Sequence, residues 1–374
     1  MKINEFLLER YLAEYEFSAP HLLCTSDCES LSIKELLSYE EGALDDFLSQ
    51  RLSYTESRGH PDLREEISKL YDSVLPDDVI TFAGAEEGIF VFMNAFLKEG
   101  DHVIALYPAY QSLYEIARAI GCDVTFWEIS DENGWKPDFE ALKRSIRDNT
   151  KAIIINTPHN PTGFNFTEEE LRELADIAGE TGICIFSDEV YRGIEYDEKD
   201  RLPGIVDIYG KGVSVGVMSK AYGLAGLRIG WLVLKDSDMT LRVASFKDYT
   251  TICSSAPSEF LSTVALRNRD RVIERNLSII RENLALLDEF FEKHSGLFEW
   301  VRPKAGSIGF VRLKTGESAE KFCRDVVEKA GVLLLPSVVY QYGDSHFRIG
   351  FGRYDMKESL QKFEEYLSDK HPSF

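Results

Sequence analysis

The alternation of short apolar runs with helical patterns, between about residues 78 and 235, constrains the fold of this chain more than any other feature. Runs rich in valine, isoleucine and aromatic residues predict buried strands, and the amphipathic stretches between them predict crossover helices. This order is typical of a parallel sheet covered by helices, so we predict an α/β core. The predicted strands are 102–107, 124–129, 152–156, 183–187, 213–217 and 229–234, and the predicted helices are 86–97, 111–120 and 167–180.

The pattern changes after this core, because strands and helices no longer alternate strictly. One or two long helices are predicted over 257–292, and strands at 307–313, 332–335 and 347–351 surround a helix at 318–329. Such an order is typical of a separate α+β unit. We therefore predict a large domain over 45–265 and a smaller domain formed by 1–44 and 266–374. The amphipathic stretch 5–16 is expected to pack on the smaller domain or on a partner.

Charge and cysteine content restrict the partners and the compartment. Acidic residues outnumber basic ones, 64 against 42, and the net charge of -22 repels phosphate backbones and anionic lipid surfaces, so neither nucleic acid nor a membrane is an expected partner. The six cysteines are scattered, which favours a reducing compartment and gives little support to a metal site. The first residues lack the pattern of a signal peptide, and a cytoplasmic protein is expected.

The densest chemical signal lies between the last two predicted strands of the core. The segment 218–230 contains Ser219 and Lys220, a glycine-rich turn, and Arg228 eight residues after the lysine. A lysine can form an imine with an aldehyde, and an arginine is a fixed cation suited to a phosphate. A lysine in such a turn is by itself more often part of a surface loop.

Further polar residues follow the other predicted strands. Asn160 begins an Asn-Pro-Thr-Gly segment after strand 152–156, while Asp188 and Tyr191 follow strand 183–187. Taken alone, these are a good turn and a helix cap. Upstream, the backbone amides of Ala85 and Glu86 at a helix start are suited to an anion.

The ordered set of motifs over about residues 50 to 370 resembles the class I and II aminotransferases, which are fold-type I pyridoxal 5′-phosphate enzymes. The resemblance implies a mainly parallel α/β domain with a smaller α+β domain, and a Schiff base between the cofactor and Lys220. It also implies that Asp188 keeps the pyridine nitrogen protonated and that Tyr191 and Asn160 contact the phenolic oxygen. Residues expected at the phosphate are Ala85, Glu86, Ser219 and Arg228.

The resemblance assigns further residues to the cofactor, the substrate and a second subunit. Tyr110 is expected to stack on the cofactor ring, although ordinary core packing is nearly as good an interpretation. Arg348, with Asn160 beside it, is expected to bind the substrate α-carboxylate. Tyr54 matches a tyrosine that reaches the phosphate of the neighbouring subunit, which implies a homodimer with shared active sites.

Two segments depart from the family pattern. Val217 stands three residues before the lysine, where the family often has a small polar phosphate ligand. The segment 22–30 differs from the usual glycine-rich segment that closes over the substrate, and here the chain resembles a subgroup that includes capreomycidine synthase. Asp27 and Glu14 are carboxylates suited to a basic substrate, but solvated surface positions are the favoured interpretation of both.

The implied reaction is transfer of an amino group between an amino acid and a 2-oxo acid. The same residues also suit a lyase or a cyclase, by elimination, replacement or cyclisation, because the pocket decides which bond breaks. A ligand-sensing regulator is disfavoured by the acidic charge and by the lack of a visible DNA-binding segment. A NAD-linked dehydrogenase is disfavoured because no Gly-x-Gly-x-x-Gly follows a predicted strand.

Overall fold

A computed structural model describes residues 2–370 of the chain. Its α-helices are α1 (Leu7–Tyr15), α2 (Ile33–Leu37), α3 (Ala43–Ser49), α4 (Pro61–Ser68), α5 (Ala85–Phe96), α6 (Ser112–Ile120), α7 (Phe139–Ser145), α8 (Glu168–Thr181), α9 (Ile205–Ile208), α10 (Ser237–Lys247), α11 (Ala256–Arg267), α12 (Arg269–Lys293), α13 (Ala319–Ala330) and α14 (Met356–Lys370). Its strands are β1 (His21–Leu22), β2 (Val79–Phe82), β3 (His102–Tyr107), β4 (Asp123–Glu128), β5 (Thr150–Asn156), β6 (Cys184–Asp188), β7 (Gly212–Val217), β8 (Gly230–Leu234), β9 (Phe298–Trp300), β10 (Ile308–Leu313), β11 (Val332–Leu333), β12 (Leu335–Pro336) and β13 (His346–Gly350).

The predicted alternating region forms one seven-stranded sheet in the order β2-β8-β7-β6-β5-β3-β4. The pairs among β3, β4, β5, β6 and β7 are parallel, whereas β8 runs antiparallel to both of its neighbours. The prediction of a mainly parallel α/β core is therefore confirmed. Strand β2 was not predicted, because its four residues lie directly before a turn and a helix start. A run this short carries too little periodicity to be recognised.

The interior strands are apolar throughout because both faces of the sheet are covered. Every residue of β3, β6, β7 and β8 is buried. Successive side chains of a strand point to opposite faces. Accordingly Ala152 and Ile154 of β5 belong to one hydrophobic cluster, and Ile153 and Ile155 belong to another. Two hydrophobic clusters thus enclose the sheet and fix its position.

One edge of this sheet gathers the ends of several strands. In the register of the antiparallel strand, Gly230 at the start of β8 pairs with Val217 at the end of β7 and with Phe82 at the end of β2. The carboxyl ends of β3, β5 and β6 point the same way as that of β7, because these strands are parallel. Ligands of open α/β sheets bind at such an edge.

The later part of the chain forms a second sheet of four antiparallel strands in the order β12-β13-β10-β9. The predicted long helical region is indeed two helices, α11 and α12. The N-terminal segment returns to this part of the chain, since β1 pairs with β11 and Leu8 and Tyr11 of α1 are buried in one cluster with Leu333 and Tyr340. The domain boundaries given above stay a prediction. Across residues 2–370, no helix combines the length and the apolar character needed to cross a membrane.

Candidate active site

A cavity of about 380 Å³ opens at the edge of the seven-stranded sheet where the strand ends meet. We call the residues that come from strand ends and the turns after them the floor of the cavity: Ala85, Glu86, Tyr110, Asn160, Asp188, Tyr191, Val217, Ser219, Lys220 and Arg228. We call the residues from the N-terminal segment its roof: Leu8, Glu9, Leu12, Glu16, Cys24, Thr25, Ser26 and Asp27. Arg348 lies between floor and roof. The cavity thus brings together all the predicted site residues except Tyr54.

Lys220 lies three residues after β7, at the centre of the floor. Its Nζ donates a hydrogen bond to Ser26 Oγ of the roof at 2.8 Å. Burial lowers the pKa of this amine below the ordinary value of a lysine, although the Asp27 carboxylate acts in the opposite direction. A lysine with a lowered pKa is a better nucleophile and base near neutral pH.

Asp188 and Tyr191 provide buried polar groups beside the lysine. Asp188 is the last residue of β6 and is 5% exposed, and its Oδ1 accepts a hydrogen bond from the Val190 amide at 3.2 Å. Burial raises the pKa of this carboxyl to about 7, although the charge of the nearby Lys220 acts in the opposite direction. The hydroxyl of Tyr191 is buried without a hydrogen-bond partner among the described residues. Both groups are therefore open to a ligand.

Arg348 is held in a hydrogen-bond network that spans the cavity. Its Nη1 donates to Asn160 Oδ1 at 3.1 Å and to the Tyr340 hydroxyl at 2.7 Å, and Nη2 donates to the Cys24 carbonyl at 2.6 Å. The Tyr340 hydroxyl in turn donates to Asn160 Oδ1 at 3.0 Å. The Nε of Arg348 is buried without a partner in the described part of the chain. The guanidinium is thus fixed in place with a donor to spare.

An anion cradle is formed by the start of α5 and the turn before β8. Helix α5 begins at Ala85, so its first backbone amides are not used within the helix. A Cβ on Gly230 would lie 2.5 Å from the Ala85 nitrogen, and one on Gly84 would lie 2.5 Å from Arg228 Nη2. Arg228 itself has a φ of 51°, in the left-handed region that is costly for a non-glycine residue. The backbone is therefore shaped to bring the guanidinium against the helix start.

The other polar side chains at this end of the floor differ in their roles. The Glu86 carboxylate accepts a hydrogen bond from Ser112 Oγ at 2.5 Å, so it is the backbone of Glu86 that suits an anion. Ser219 lies in the cavity wall beside Lys220. Val217 is buried in the same wall and brings no hydrogen-bond donor there. The Tyr110 hydroxyl donates to Glu9 Oε1 at 3.4 Å, which links the floor to the roof.

Tyr54 lies away from this cavity. Its side chain is 89% exposed, in a shallow hollow formed by residues 50–62 and α11. Other large apolar side chains are exposed as well, and we call them together with Tyr54 the exposed apolar residues: Leu48, Leu52, Tyr54, Tyr249 and Ile252. Within one chain, Tyr54 therefore contributes nothing to the cavity.

Most of the roof and its supports were not predicted from the sequence. Asp27 was interpreted as a solvated surface residue, which is wrong, because its side chain is 17% exposed and lines the cavity. The same interpretation of Glu14 is confirmed, since its exposed carboxylate pairs with Arg324 outside the cavity at 3.5 Å. The unusual composition of 22–30 was the available signal for this region, but its contacts are with residues hundreds of positions away.

The residues of the floor fit pyridoxal 5′-phosphate. The cofactor carries a dianionic phosphate, a ring nitrogen that can be protonated, a phenolic oxygen and an aldehyde. The cradle at α5 and Arg228 offers donors for the phosphate, and Asp188 offers a carboxylate for the ring nitrogen. The unpartnered Tyr191 hydroxyl and the buried amine of Lys220 suit the remaining two groups.

Comparison with known proteins agrees with this fit. A crystal structure of a PLP-dependent aminotransferase from Streptococcus suis superposes with a TM-score of 0.93 at 35% identity, covering 99% of each chain, and confirms the predicted fold. Capreomycidine synthase from Streptomyces vinaceus is 28% identical over 364 residues, which is 96% of this chain and 93% of the relative. A probable aspartate aminotransferase from Methanocaldococcus jannaschii is 28% identical over 348 residues, which is 88% of this chain and 90% of the relative.

The family model for class I and II aminotransferases matches residues 27–361. This match includes the whole floor of the cavity and Arg348. Members of this family depend on pyridoxal 5′-phosphate, which confirms the predicted cofactor. The protein is therefore an enzyme that belongs to the class I and II aminotransferase family.

Proposed function

We propose that this enzyme transfers the amino group of an amino acid to a 2-oxo acid. The observation that carries the proposal is the convergence of Lys220, Asp188 and Arg348 in one cavity. When bound there, pyridoxal 5′-phosphate supplies an electron sink that makes the α-proton of an amino acid removable. The protein must then orient the amino acid, move that proton and exclude water.

Arg348 binds the α-carboxylate of the substrate. Its buried guanidinium has an unpartnered Nε, and the contacts with Asn160 and Tyr340 hold it in one orientation. A fixed guanidinium gives a directional, charge-assisted pair with a carboxylate. This pair places the α-carbon over the floor, where Lys220 lies.

Lys220 moves the proton. With the cofactor bound, its Nζ would take the proton from the substrate α-carbon, and the lowered pKa favours the neutral amine that can accept a proton. Ser26 Oγ accepts a hydrogen bond from this nitrogen and limits its motion. Asp188 holds the proton on the ring nitrogen, and the cradle of α5 and Arg228 holds the phosphate.

The cofactor bond and the half-reaction test this proposal together. Borohydride reduction of the holoenzyme is expected to fix the cofactor on a peptide that contains Lys220. Addition of a substrate amino acid without an acceptor is expected to convert the bound cofactor to its amine form, with one equivalent of 2-oxo acid released. Labelling of another lysine, or turnover that never produces the amine form, would contradict the proposal.

We also propose that the enzyme acts as a homodimer in which Tyr54 reaches the cofactor phosphate of the partner subunit. The exposure of Tyr54 supports this assignment, because its side chain is free to reach a second subunit. Leu48, Leu52 and Tyr249, which are 72% to 91% exposed, are further apolar side chains that a partner subunit would cover.

Hybrid dimers test the shared site. Lys220→Ala and Tyr54→Phe subunits, co-expressed with different tags, give hybrids in which one site has both native residues. We expect hybrids purified through both tags to recover about half of the wild-type activity, because one of two shared sites is complete. The control is the activity per native Lys220 in the Tyr54→Phe homodimer. If the hybrid has no higher activity per native Lys220 than this, Tyr54 does not act in the site of the partner subunit.

Cyclisation or elimination is the second candidate, and the similarity to capreomycidine synthase over nearly the whole chain favours keeping it. The floor residues serve either outcome, because each begins with loss of the α-proton. The two are separated by the fate of nitrogen. A lyase releases ammonia, and a cyclase turns over without a 2-oxo acid, whereas an aminotransferase stops after one equivalent unless an acceptor is added.

A reducing compartment such as the cytoplasm is proposed from the thiols. All six cysteines are free, and five of them are buried. Buried free thiols in a chain of this size are typical of proteins that are not exposed to oxidising conditions.

A further inference from the structure

The roof of the cavity carries three carboxylates that have no role in the proposed reaction. Among the described residues lining the cavity, the cations are Lys220, Arg228 and Arg348. Each has a task in the proposed function, respectively with the α-proton, the phosphate and the α-carboxylate. No lining cation is left for a substrate side chain. The carboxylates of the roof, Glu9, Glu16 and Asp27, remain without a task.

These three carboxylates are close enough to influence one another. Burial raises the pKa of Glu16, and the negative charges of Asp27 and Glu9 raise it further, whereas the positive charges of Arg353 and Lys220 only partly oppose this. Asp27 is paired with Arg353 at 2.8 Å, and Glu9 accepts the hydrogen bond from Tyr110. The Glu16 carboxylate has neither a hydrogen bond nor an ion pair among residues 2–370.

The position of Glu16 is unfavourable for the free protein. It is half-buried and caps the C-terminal end of α1, where the helix dipole favours cations over carboxylates. A half-buried carboxylate with other carboxylates near it is costly unless a cation joins it. Residues that cost stability in the free protein are often retained for binding.

The two anchor points of the substrate lie against the same segment of the roof. Arg348 donates to the Cys24 carbonyl, and Lys220 donates to the Ser26 hydroxyl. The next residue in the chain is Asp27. An amino acid held between Arg348 and Lys220 therefore lies beside residues 24–27, in the same cavity as the Glu16 carboxylate, which is unpaired among the described residues.

We propose that the roof selects amino acids with a cationic side chain, an amine or a guanidine, and that Glu16 is the residue that determines this specificity. The proposal rests on the proposed function for the placement of the α-carboxylate and the α-amine. A side-chain cation would pair with Glu16 and relieve the repulsion from Asp27 and Glu9. A side-chain carboxylate would be repelled by Glu16, which has no ion pair of its own within residues 2–370, so aspartate and glutamate are expected to be poor substrates.

Equilibrium binding to the holoenzyme tests the selectivity. L-ornithine, L-lysine, L-arginine, L-norleucine and L-glutamate are titrated without an acceptor, and binding is followed by the absorbance of the cofactor and by the shift in melting temperature. We expect the tightest cationic amino acid to bind at least about tenfold more tightly than norleucine, which matches lysine in length without the charge. Glutamate is expected to bind most weakly.

Substitutions of single carboxylates test whether Glu16 determines the selectivity for cationic side chains. Glu16→Gln is expected to weaken binding of the preferred cationic amino acid about tenfold, to leave norleucine within about twofold, and to leave the melting temperature of the ligand-free holoenzyme equal or higher. Glu14→Gln, on the same helix but paired with Arg324 outside the cavity, is the matched control and is expected to change neither. Asp27→Asn is a second roof variant with the same expected direction.

The outcomes separate this inference from the proposed function. Norleucine or glutamate binding as tightly as every cationic amino acid overturns the inference, as does a Glu16→Gln variant with unchanged selectivity. Tight, Glu16-dependent binding of a cationic amino acid without formation of the amine form of the cofactor overturns transamination alone. Absence of any shift in absorbance or melting temperature with all five amino acids overturns both.

Discussion

The floor and the roof of the cavity are built in opposite ways. Floor residues stand at the ends of buried strands, and their polar groups are individually matched to parts of the cofactor. Roof residues come from α1, which is nine residues long, and from the segment after it, which contacts Lys220, Arg348 and Arg353 through Ser26, Cys24 and Asp27. The floor is held in place by two hydrophobic clusters that enclose the sheet beneath it. The roof packs on one of these clusters through Leu8 and Cys24, but its carboxylates, Glu9, Glu16 and Asp27, lie outside the strands.

This difference assigns chemistry to the floor and substrate choice to the roof. Reactions of a bound cofactor need groups held within a fraction of an ångström, which strand ends provide. Choice of a side chain needs only charge and shape in roughly the right place. Floor variants should therefore lower turnover for every substrate, and roof variants should change the ranking of substrates.

The largest effect is expected from Lys220→Ala. Removing the amine takes away both the covalent attachment and the base, so we expect turnover to fall by at least about 10⁴-fold for every amino acid. Single-turnover spectroscopy measures the loss directly. Lys211→Ala is the matched control, because that lysine lies before the opposite end of β7 and donates only to the Gly182 carbonyl. Substantial turnover by Lys220→Ala would remove the distinction between floor and roof.

Asp188→Asn is expected to have the next largest effect. The amide cannot keep the ring nitrogen protonated by charge, so we expect turnover to fall by about 100-fold with all substrates alike. Glu189→Gln is the control, since this equally buried neighbour contacts Ile205 N and Ser214 Oγ away from the cavity. Equal losses in both variants would indicate a general effect of burial.

Asp188→Asn is also predicted to stabilise the cofactor-free protein, although it lowers the turnover of the holoenzyme. The native carboxyl of Asp188 has a pKa of about 7 against 3.8 in the unfolded chain, so the native state binds more protons between these values. Stability conferred by the protonated group is present below pH 4 and is lost as the pH rises to about 7. Cofactor-free Asp188→Asn should therefore melt higher than wild type at pH 8, with a smaller gap at pH 5. A constant gap would contradict the assigned pKa.

Much of the floor could be predicted from the sequence because its residues lie at short, fixed offsets from strands. Lys220 follows β7 by three residues, and Asp188 ends β6. The roof could not be predicted in the same way. Its contacts join residues far apart in the chain, such as Cys24 with Arg348, and no local pattern encodes such a pair. Asp27 was misjudged for this reason, since a short acidic side chain in a polar segment looks solvated until its neighbours are known.

Arg348→Lys probes the boundary between floor and roof. Lysine keeps the charge but cannot contact Asn160 and the Cys24 carbonyl with separate nitrogens while it binds a carboxylate. We expect Kd to rise by about 10- to 100-fold for every amino acid, with the ranking of side chains preserved. The titration described for the roof measures both quantities. A changed ranking of the amino acids would mean that Arg348 also contributes to side-chain selectivity. Arg348 would then belong with the roof.

The smallest effect is expected from Tyr340→Phe. The hydroxyl accepts from Arg348 Nη1 and donates to Asn160 Oδ1, but Tyr340 is not among the described residues that line the cavity, so it acts through these two neighbours. Loss of one net hydrogen bond is worth about 1 kcal/mol, so Kd for all amino acids should rise by about three- to tenfold. The maximal single-turnover rate at saturation should stay within about twofold of wild type. A fall in this rate larger than the change in Kd would place Tyr340 with the chemistry of the floor, and recovery of binding in Tyr340→His, which restores a polar group there, would support the positioning role.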